Sequence, residues 1–228
     1  MSPKPKVSRL AFHAFLLGVA VLLVGAPTAQ AGVLDNPVGC DTYLLERPFL
    51  RWENPVAFDY ARVPDGGFEH RARDWQLTNG ARVVRGNESY YVNRRTDSLS
   101  LYLPAGSEAI SPAMCAGVEY PTLRLFTRNK GGSTPTLKVE MAYELAGNVV
   151  WVELLPLLGP PETGQPFVGT ALTADKRWGP TLPMVLLTAL SVPLGTTEGT
   201  SVIAFRFSPQ GNADWWIDDA YVDPYRHY

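Results

Sequence analysis

Arg124, Phe126 and Arg128 alternate along one segment, so on a β-strand they share a face and present two guanidinium groups around an aromatic ring. Arginine donates five N–H groups in a planar fork, which suits ligands rich in hydroxyl or acidic oxygens. Arg206 sits in a second alternating segment and is expected on a neighbouring strand. Flat apolar ring faces come from Tyr90, Tyr91, Trp151, Trp178, Trp215 and Tyr221, and Trp178 joins the arginines as a candidate ligand-binding residue. The same side chains have a structural use. Trp and Tyr commonly fill the core of a β-sandwich or cap its ends, and Arg124 and Arg128 can pair with Glu140 and Glu144 on a solvated face.

Reactive chemistry has fewer resources. Three His and two Cys make a histidine-based mechanism or a zinc cluster improbable on supply alone. His70 directly follows Glu69, and adjacent strand residues point to opposite faces, so the two do not form a natural catalytic pair. The chain has no Gly-x-Ser-x-Gly elbow, no His-Glu-x-x-His and no Gly-x-x-x-x-Gly-Lys loop. Two carboxylates suffice for glycoside hydrolysis, and Glu69, Glu140, Glu144, Asp218 and Asp219 are of the right type, yet no spacing singles out a pair. No catalytic residue is assigned.

The N-terminus reads as a targeting signal. Lys4, Lys6 and Arg9 precede an apolar run from Phe15 to Val24, and Ala29-Gln30-Ala31 supplies a small-x-small cleavage site. The apolar run is about half of the roughly 20 residues that a membrane span needs. Residues 1–31 are therefore expected to be removed on export, with secretion as the localisation and no stable membrane span in the mature chain. Removal takes three of the 20 basic residues and none of the 22 acidic ones, leaving an acidic protein without the electrostatic footprint of nucleic-acid binding. In an oxidising compartment Cys40 and Cys115 are expected to form a disulfide, worth roughly 4 kcal/mol in the chain-entropy account. Asn87-Glu88-Ser89 fits an N-glycosylation acceptor if the source is a eukaryote.

Charged residues are 18% of the chain, while 20 Gly and 20 Pro mark a turn-rich polypeptide. Residues 32–63 have no sustained period and are expected to be an irregular arm, tied by the disulfide and anchored by Phe49, Leu50, Trp52 and Phe58. From about residue 64 short apolar segments alternate with turn signals. Period two is clean at 98–103, 122–128, 137–144 and 203–208, and further strands are expected at 81–85, 149–155, 167–172, 183–187 and 215–222. The one possible short helix, at 181–192, is opposed by its prolines. The predicted fold is all-β: a two-sheet antiparallel β-sandwich, or jelly roll, over residues 64–228.

The order of short signals in this domain resembles the β-jelly-roll carbohydrate-binding modules of the galactose-binding-like superfamily. Asp65-Gly66-Gly67-Phe68-Glu69 followed by Trp75 is similar to their opening element, and Ser98-Leu99-Ser100-Leu101 to a following strand. The 121–128 segment, Trp178 and the closing Ile217-Asp218-Asp219-Ala220-Tyr221-Val222 continue the likeness over about 160 residues. The resemblance implies a structural calcium between Glu69 and an acid of the last strand, Asp218 or Asp219. By simple parity Asp218 shares a face with Ala220 and Val222, and Asp219 with Ile217 and Tyr221, so alternation does not decide which acid points inward.

The resulting expectation is a secreted, non-catalytic module that binds carbohydrate or a cell-envelope glycan through Arg124, Phe126, Arg128, Trp178 and Arg206. Two alternatives stand beside it: a structural or protein-interaction domain of the envelope, and a small glycoside hydrolase or lyase.

Overall fold

A computed structural model describes residues 32–37, 44–53, 58–116, 122–130, 135–145, 147–156, 176–186 and 201–223. The expected signal peptide, Cys40 and the expected strand at 167–172 lie outside the described residues. Among those described, fifteen strands occur and no helix. They are β1 (Leu45–Glu46), β2 (Tyr60–Arg62), β3 (Gln76–Thr78), β4 (Arg82–Arg85), β5 (Leu99–Leu103), β6 (Glu108–Ile110) and β7 (Met114–Ala116). Then follow β8 (Thr122–Lys130), β9 (Thr136–Leu145), β10 (Asn148–Glu153), β11 (Leu155–Pro156), β12 (Gly179–Pro180), β13 (Met184–Val185), β14 (Ser201–Gln210) and β15 (Asp214–Asp223).

The strands make two antiparallel sheets packed face to face. The front sheet holds β1, β2, β4, β5, β8, β11, β12, β13 and β15, and the back sheet holds β3, β6, β7, β9, β10 and β14. Alternation explains the core between them. Leu123 and Leu125 of β8 meet Leu137, Val139 and Met141 of β9 and Ile203, Phe205 and Phe207 of β14, all almost fully buried. The alternate residues of β8, Arg124, Phe126 and Arg128, face away from this core, as their spacing predicts.

The Asp65–Glu69 element is a docking loop. A Cβ on Gly66 would lie 2.8 Å from the Ala220 carbonyl and 2.9 Å from that of Val63, so only glycine lets the loop approach β15. Two backbone bonds use this approach: the Val63 N–H donates to the Ala220 carbonyl, and the Ala220 N–H to that of Gly66. Phe68 and Trp75 drive into the core in a T-shaped contact, and the Trp75 indole N–H donates to the Pro64 carbonyl.

The described parts of the arm, residues 32–37, 44–53 and 58–63, are more ordered than the sequence suggests. They contribute β1 and β2, with β2 paired to the C-terminal half of β15. Phe49 is fully buried against the outer face of the front sheet, stacked on Phe126 at 5.3 Å and edge-on to Tyr60 at 4.8 Å. At the other end of the arm, Val33 is buried on the outer face of the back sheet with Ile110, Ala142 and Ala204. Cys115 on β7 is buried and is not a free thiol; its expected partner Cys40 lies outside the described residues.

Phe49 therefore behaves as a core residue. Phe49→Ala is expected to cost roughly 3–5 kcal/mol, lowering Tm by roughly 10 °C at about 2–4 °C per kcal/mol for a chain of this size. A melting curve unchanged from wild type would show that the arm is not part of the cooperative fold.

Candidate functional site

The front sheet's outer face divides into a covered half and an open half. In the covered half Arg124 is buried: its Nη1 donates to Glu53 Oε1 at 2.6 Å and to the Tyr60 hydroxyl at 3.1 Å, its Nε donates to the Thr181 carbonyl, and its guanidinium lies 4.0 Å from the Phe49 ring centre. The Tyr60 hydroxyl also donates to Glu53. Phe126 is fully buried beneath Phe49, Trp52 and Tyr90. Neither residue is available to a ligand. They hold the arm, because sequence spacing gives the face of a strand and not what covers it.

The open half is a row that crosses four strands and ends on Trp178, beside β12. Register places Arg82 opposite Tyr102, Tyr102 opposite Trp216, and Trp216 opposite Arg128. Gly179 pairs with Thr127, which brings Trp178 to the level of Arg128. Contacts follow the register: the Arg82 guanidinium is 4.4 Å from the Tyr102 ring centre, Tyr102 is 4.8 Å from Trp216, and Arg128 lies 4.7 Å from Trp216 and 5.0 Å from Trp178. Arg82 is exposed, and Tyr102, Trp216 and Arg128 are half-buried, whereas Trp178 is only 9% exposed and backs the guanidinium. Asp214 is engaged from within the row, accepting from the Tyr102 hydroxyl at 2.7 Å and the Ala105 N–H.

A wall rises beside this floor. Trp52 meets Tyr90 edge-on at 4.8 Å, Arg51 lies over both rings, and the Tyr90 hydroxyl donates to the Trp178 carbonyl. Tyr91 is about half exposed next to it. Buried acids position this loop. Glu88 accepts the N–H groups of Tyr90 and Val92, and its own N–H donates to Asp218 Oδ2 at 2.8 Å. The Asn87 side-chain amide donates to both the carbonyl and the carboxylate of Glu88. A glycan on that nitrogen would replace one of its two N–H groups, leaving a single donor for these two acceptors.

Asp218 and Asp219 lie in a β-bulge. Asp218 pairs with Phe126 and Tyr221 with Arg124, and Asp219 between them has φ of 45°. Ile217, Ala220 and Val222 all reach the core, so parity does not carry through the bulge, and Asp218 faces outward with Tyr221. Burial, then the neighbouring Asp219, pushes Asp218 well above the ordinary carboxylate range. Burial pushes Asp219 up to about 7, against the opposing pull of Arg62, and burial also raises Glu88. Both Asp219 carboxylate oxygens are buried without a hydrogen-bond partner. Glu69, by contrast, has its Oε1 accepting the Ser98 and Leu99 N–H groups. Among the described residues no group of three His, Cys, Asp or Glu is arranged to hold a metal.

Arg206 does not join the row. It lies on β14 in the back sheet, held by Glu140 at 2.7 Å and Glu108 at 3.7 Å over the Trp151 ring. Glu140 also binds Lys138, and with these two partners its carboxyl titrates lower than usual despite burial. The sequence places Arg206 correctly on an outward face but not on the right sheet. Trp215 and Tyr221 are fully buried. Sequence reasoning misses Arg82, Tyr102 and Trp216 as members of the site, although their alternation with inward neighbours carries the signal.

No protein-family model matches the sequence, and no curated protein matches it. Among solved structures the chain is similar to TmCBM61 in complex with β-1,4-galactotriose, at 13% identity over 71% of this chain and 97% of that one, with a TM-score of 0.36. It is also similar to the CBM22-1 xylan-binding domain from Paenibacillus barcinonensis Xyn10C, at 13% identity over 68% and 87%, with a TM-score of 0.40. The enzymatically active domain of bacteriophage CBA120 tailspike protein 4 matches at 15% identity over 71% and 21%, with a TM-score of 0.38.

The three buried acids predict a pH dependence of stability. A carboxyl whose folded pKa exceeds its unfolded value makes the folded state bind more protons between the two values, so stability falls as pH rises through that window. In EGTA, Tm is expected to fall between pH 5 and pH 8, with Asp219→Asn flattening the upper part of the slope. A wild-type Tm that rises across this range would contradict the burial of these groups.

Proposed function

We propose that this chain is a secreted, non-catalytic binding domain that recognises carbohydrate on the open half of the front sheet. The observation that carries this reading is the in-register row of Arg82, Tyr102, Trp216 and Arg128, which sets two flat apolar rings between two planar hydrogen-bond donors. Sugars need both, since pyranose C–H faces rest on aromatic rings while hydroxyls accept hydrogen bonds from fixed donors. The wall of Trp52 and Tyr90 gives the floor a side. The two acids adjoining the row, Asp214 and Asp218, are committed to Tyr102, Ala105, Glu88 and Asp219, which favours binding over hydrolysis. Among the described residues no helix is long and apolar enough to cross a membrane.

Calorimetric titration with neutral and acidic oligosaccharides tests this reading on the chain from residue 32. Trp216→Ala and Tyr102→Ala are expected to weaken binding at least ten-fold, with Trp151→Ala on the back sheet leaving it unchanged. Equal loss in all three variants, or no binding by the wild type, would favour a structural role in the envelope.

A structural calcium belongs to the same proposal, centred on Asp219. A hard cation prefers carboxylate oxygens and takes six to eight oxygens in all, so backbone carbonyls and water must complete its shell. Two buried oxygens without donors are suited to that use, whereas Glu69 Oε1 and Asp218 are already engaged. At pH 8, adding calcium is expected to raise Tm by several degrees over EGTA in the wild type and not in Asp219→Asn. A wild-type Tm indifferent to both additions removes the ion from the account.

A further inference from the structure

We propose that the glycan bound at this row is anionic, with its charged group, a uronate carboxylate or a sulfate ester, seated on Arg128. The proposal rests on the carbohydrate reading above and adds the ligand's charge.

Several arginines of the chain are paired with acids. Arg47 is paired with Asp59, Arg62 with Glu46, Arg124 with Glu53, and Arg206 with Glu140 and Glu108. Arg128 has no acidic partner among the described residues. Its Nε is buried without a hydrogen-bond partner, and two indoles flank the guanidinium. The nearby acids do not serve it: Asp214 is held by Tyr102 and Ala105, and Asp218 by the N–H groups of Glu88 and Asp219. Burial lowers the Arg128 pKa, with no neighbouring charge acting the other way. Arginine remains protonated in proteins all the same.

A cation in this position has lost part of its hydration and gained no counterion. Cation–π contact with two rings compensates in part, but ring faces do not accept the N–H bonds that lie in the guanidinium plane. Arg128 is only partly buried at the end of the row, so its exposed part is within reach of a ligand's anionic oxygens. Planar anions accept two parallel N–H bonds from such a fork. Arg82, exposed at the far side of Tyr102 and donating to the Gly80 carbonyl, adds positive charge along the same line. The acidic balance of the whole chain, 22 Asp and Glu against 20 Lys and Arg, makes this local charge a selective feature and not a general attraction for polyanions.

Matched ligands that differ only in charge test the idea on the wild-type protein. Oligogalacturonate is compared with its methyl ester, and dextran sulfate with dextran, at pH 7 and about 50 mM salt. The charged member of at least one pair is expected to bind ten-fold or more tightly, with the preferred pair identifying carboxylate or sulfate as the source. The preference is expected to shrink with added salt and to approach unity in Arg128→Gln. Equal binding of charged and neutral members overturns this inference while leaving the carbohydrate reading intact. A charge preference that survives in folded Arg128→Gln moves the seat away from Arg128 and equally overturns it. Failure of every glycan, neutral or charged, overturns both proposals.

Discussion

The bulge at Asp218–Tyr221 is the constraint from which the open face follows. β15 pairs with β8 along most of its length, but with β5 only through Trp215–Ile217 and with β2 only through Tyr221 and Val222. A strand of strict alternation cannot send Ile217, Ala220 and Val222 inward while keeping Asp218 and Tyr221 outward. One residue with left-handed backbone resolves this, and Asp219 takes that conformation at about 1–2 kcal/mol. The docking loop offsets the strain by bonding both backbone groups of Ala220 through Val63 and Gly66. The turned strand also aims Asp218 at the Glu88 N–H, and Glu88 in turn holds Tyr90 and Val92. The wall beside the row is thus suspended from the bulge by buried carboxylates.

The arm determines how much of the front face is left for a ligand. Arg124 and Arg128 are four residues apart on one strand and begin with the same outward direction. Phe49, Glu53 and Tyr60 close over Arg124, giving it an ion pair with about 8–9% side-chain exposure on both sides. Breaking such a pair leaves an uncompensated buried charge, which typically costs about 3–5 kcal/mol. This end of the face is sealed by strong interactions and Arg128 is left open. The N-terminal end of the same arm covers an apolar patch on the back sheet through Val33, so both outer faces depend on a segment with no sustained period in its sequence.

What was legible in the sequence was whatever alternation can encode. The four clean period-two segments became β5, β8, β9 and β14, with their inward residues in the core. β3, β6, β7 and β12 have two or three residues each, too few to show a period. Arg206 illustrates a second limit, since alternation fixes the face of a strand but not which sheet the strand joins. Asp218 and Asp219 illustrate a third: a bulge adds a residue, and parity counted across it inverts. The Tyr102–Trp216–Arg128 row depends on cross-strand register, a long-range property set by turns and packing. Its ingredients were visible, since Tyr102 alternates with Leu101 and Leu103, and Trp216 with Trp215 and Ile217.

Stacking and anion binding do not compete at Arg128, because they use different directions of one group. Both indole rings attract the guanidinium charge, while its N–H bonds lie in the guanidinium plane and are directed at acceptors in that plane. The indoles thereby fix the orientation of the fork before a ligand arrives, removing side-chain entropy that a free surface arginine would lose on binding. They also displace water from the charge. Two unit charges 4 Å apart interact by about 1 kcal/mol in bulk water and by about 4 kcal/mol at the effective dielectric near a protein surface. An exposed arginine elsewhere on the chain stays closer to the first value. Flanking rings move Arg128 toward the second, and that difference is enough to turn one cation on an acidic protein into a selective seat for an anion.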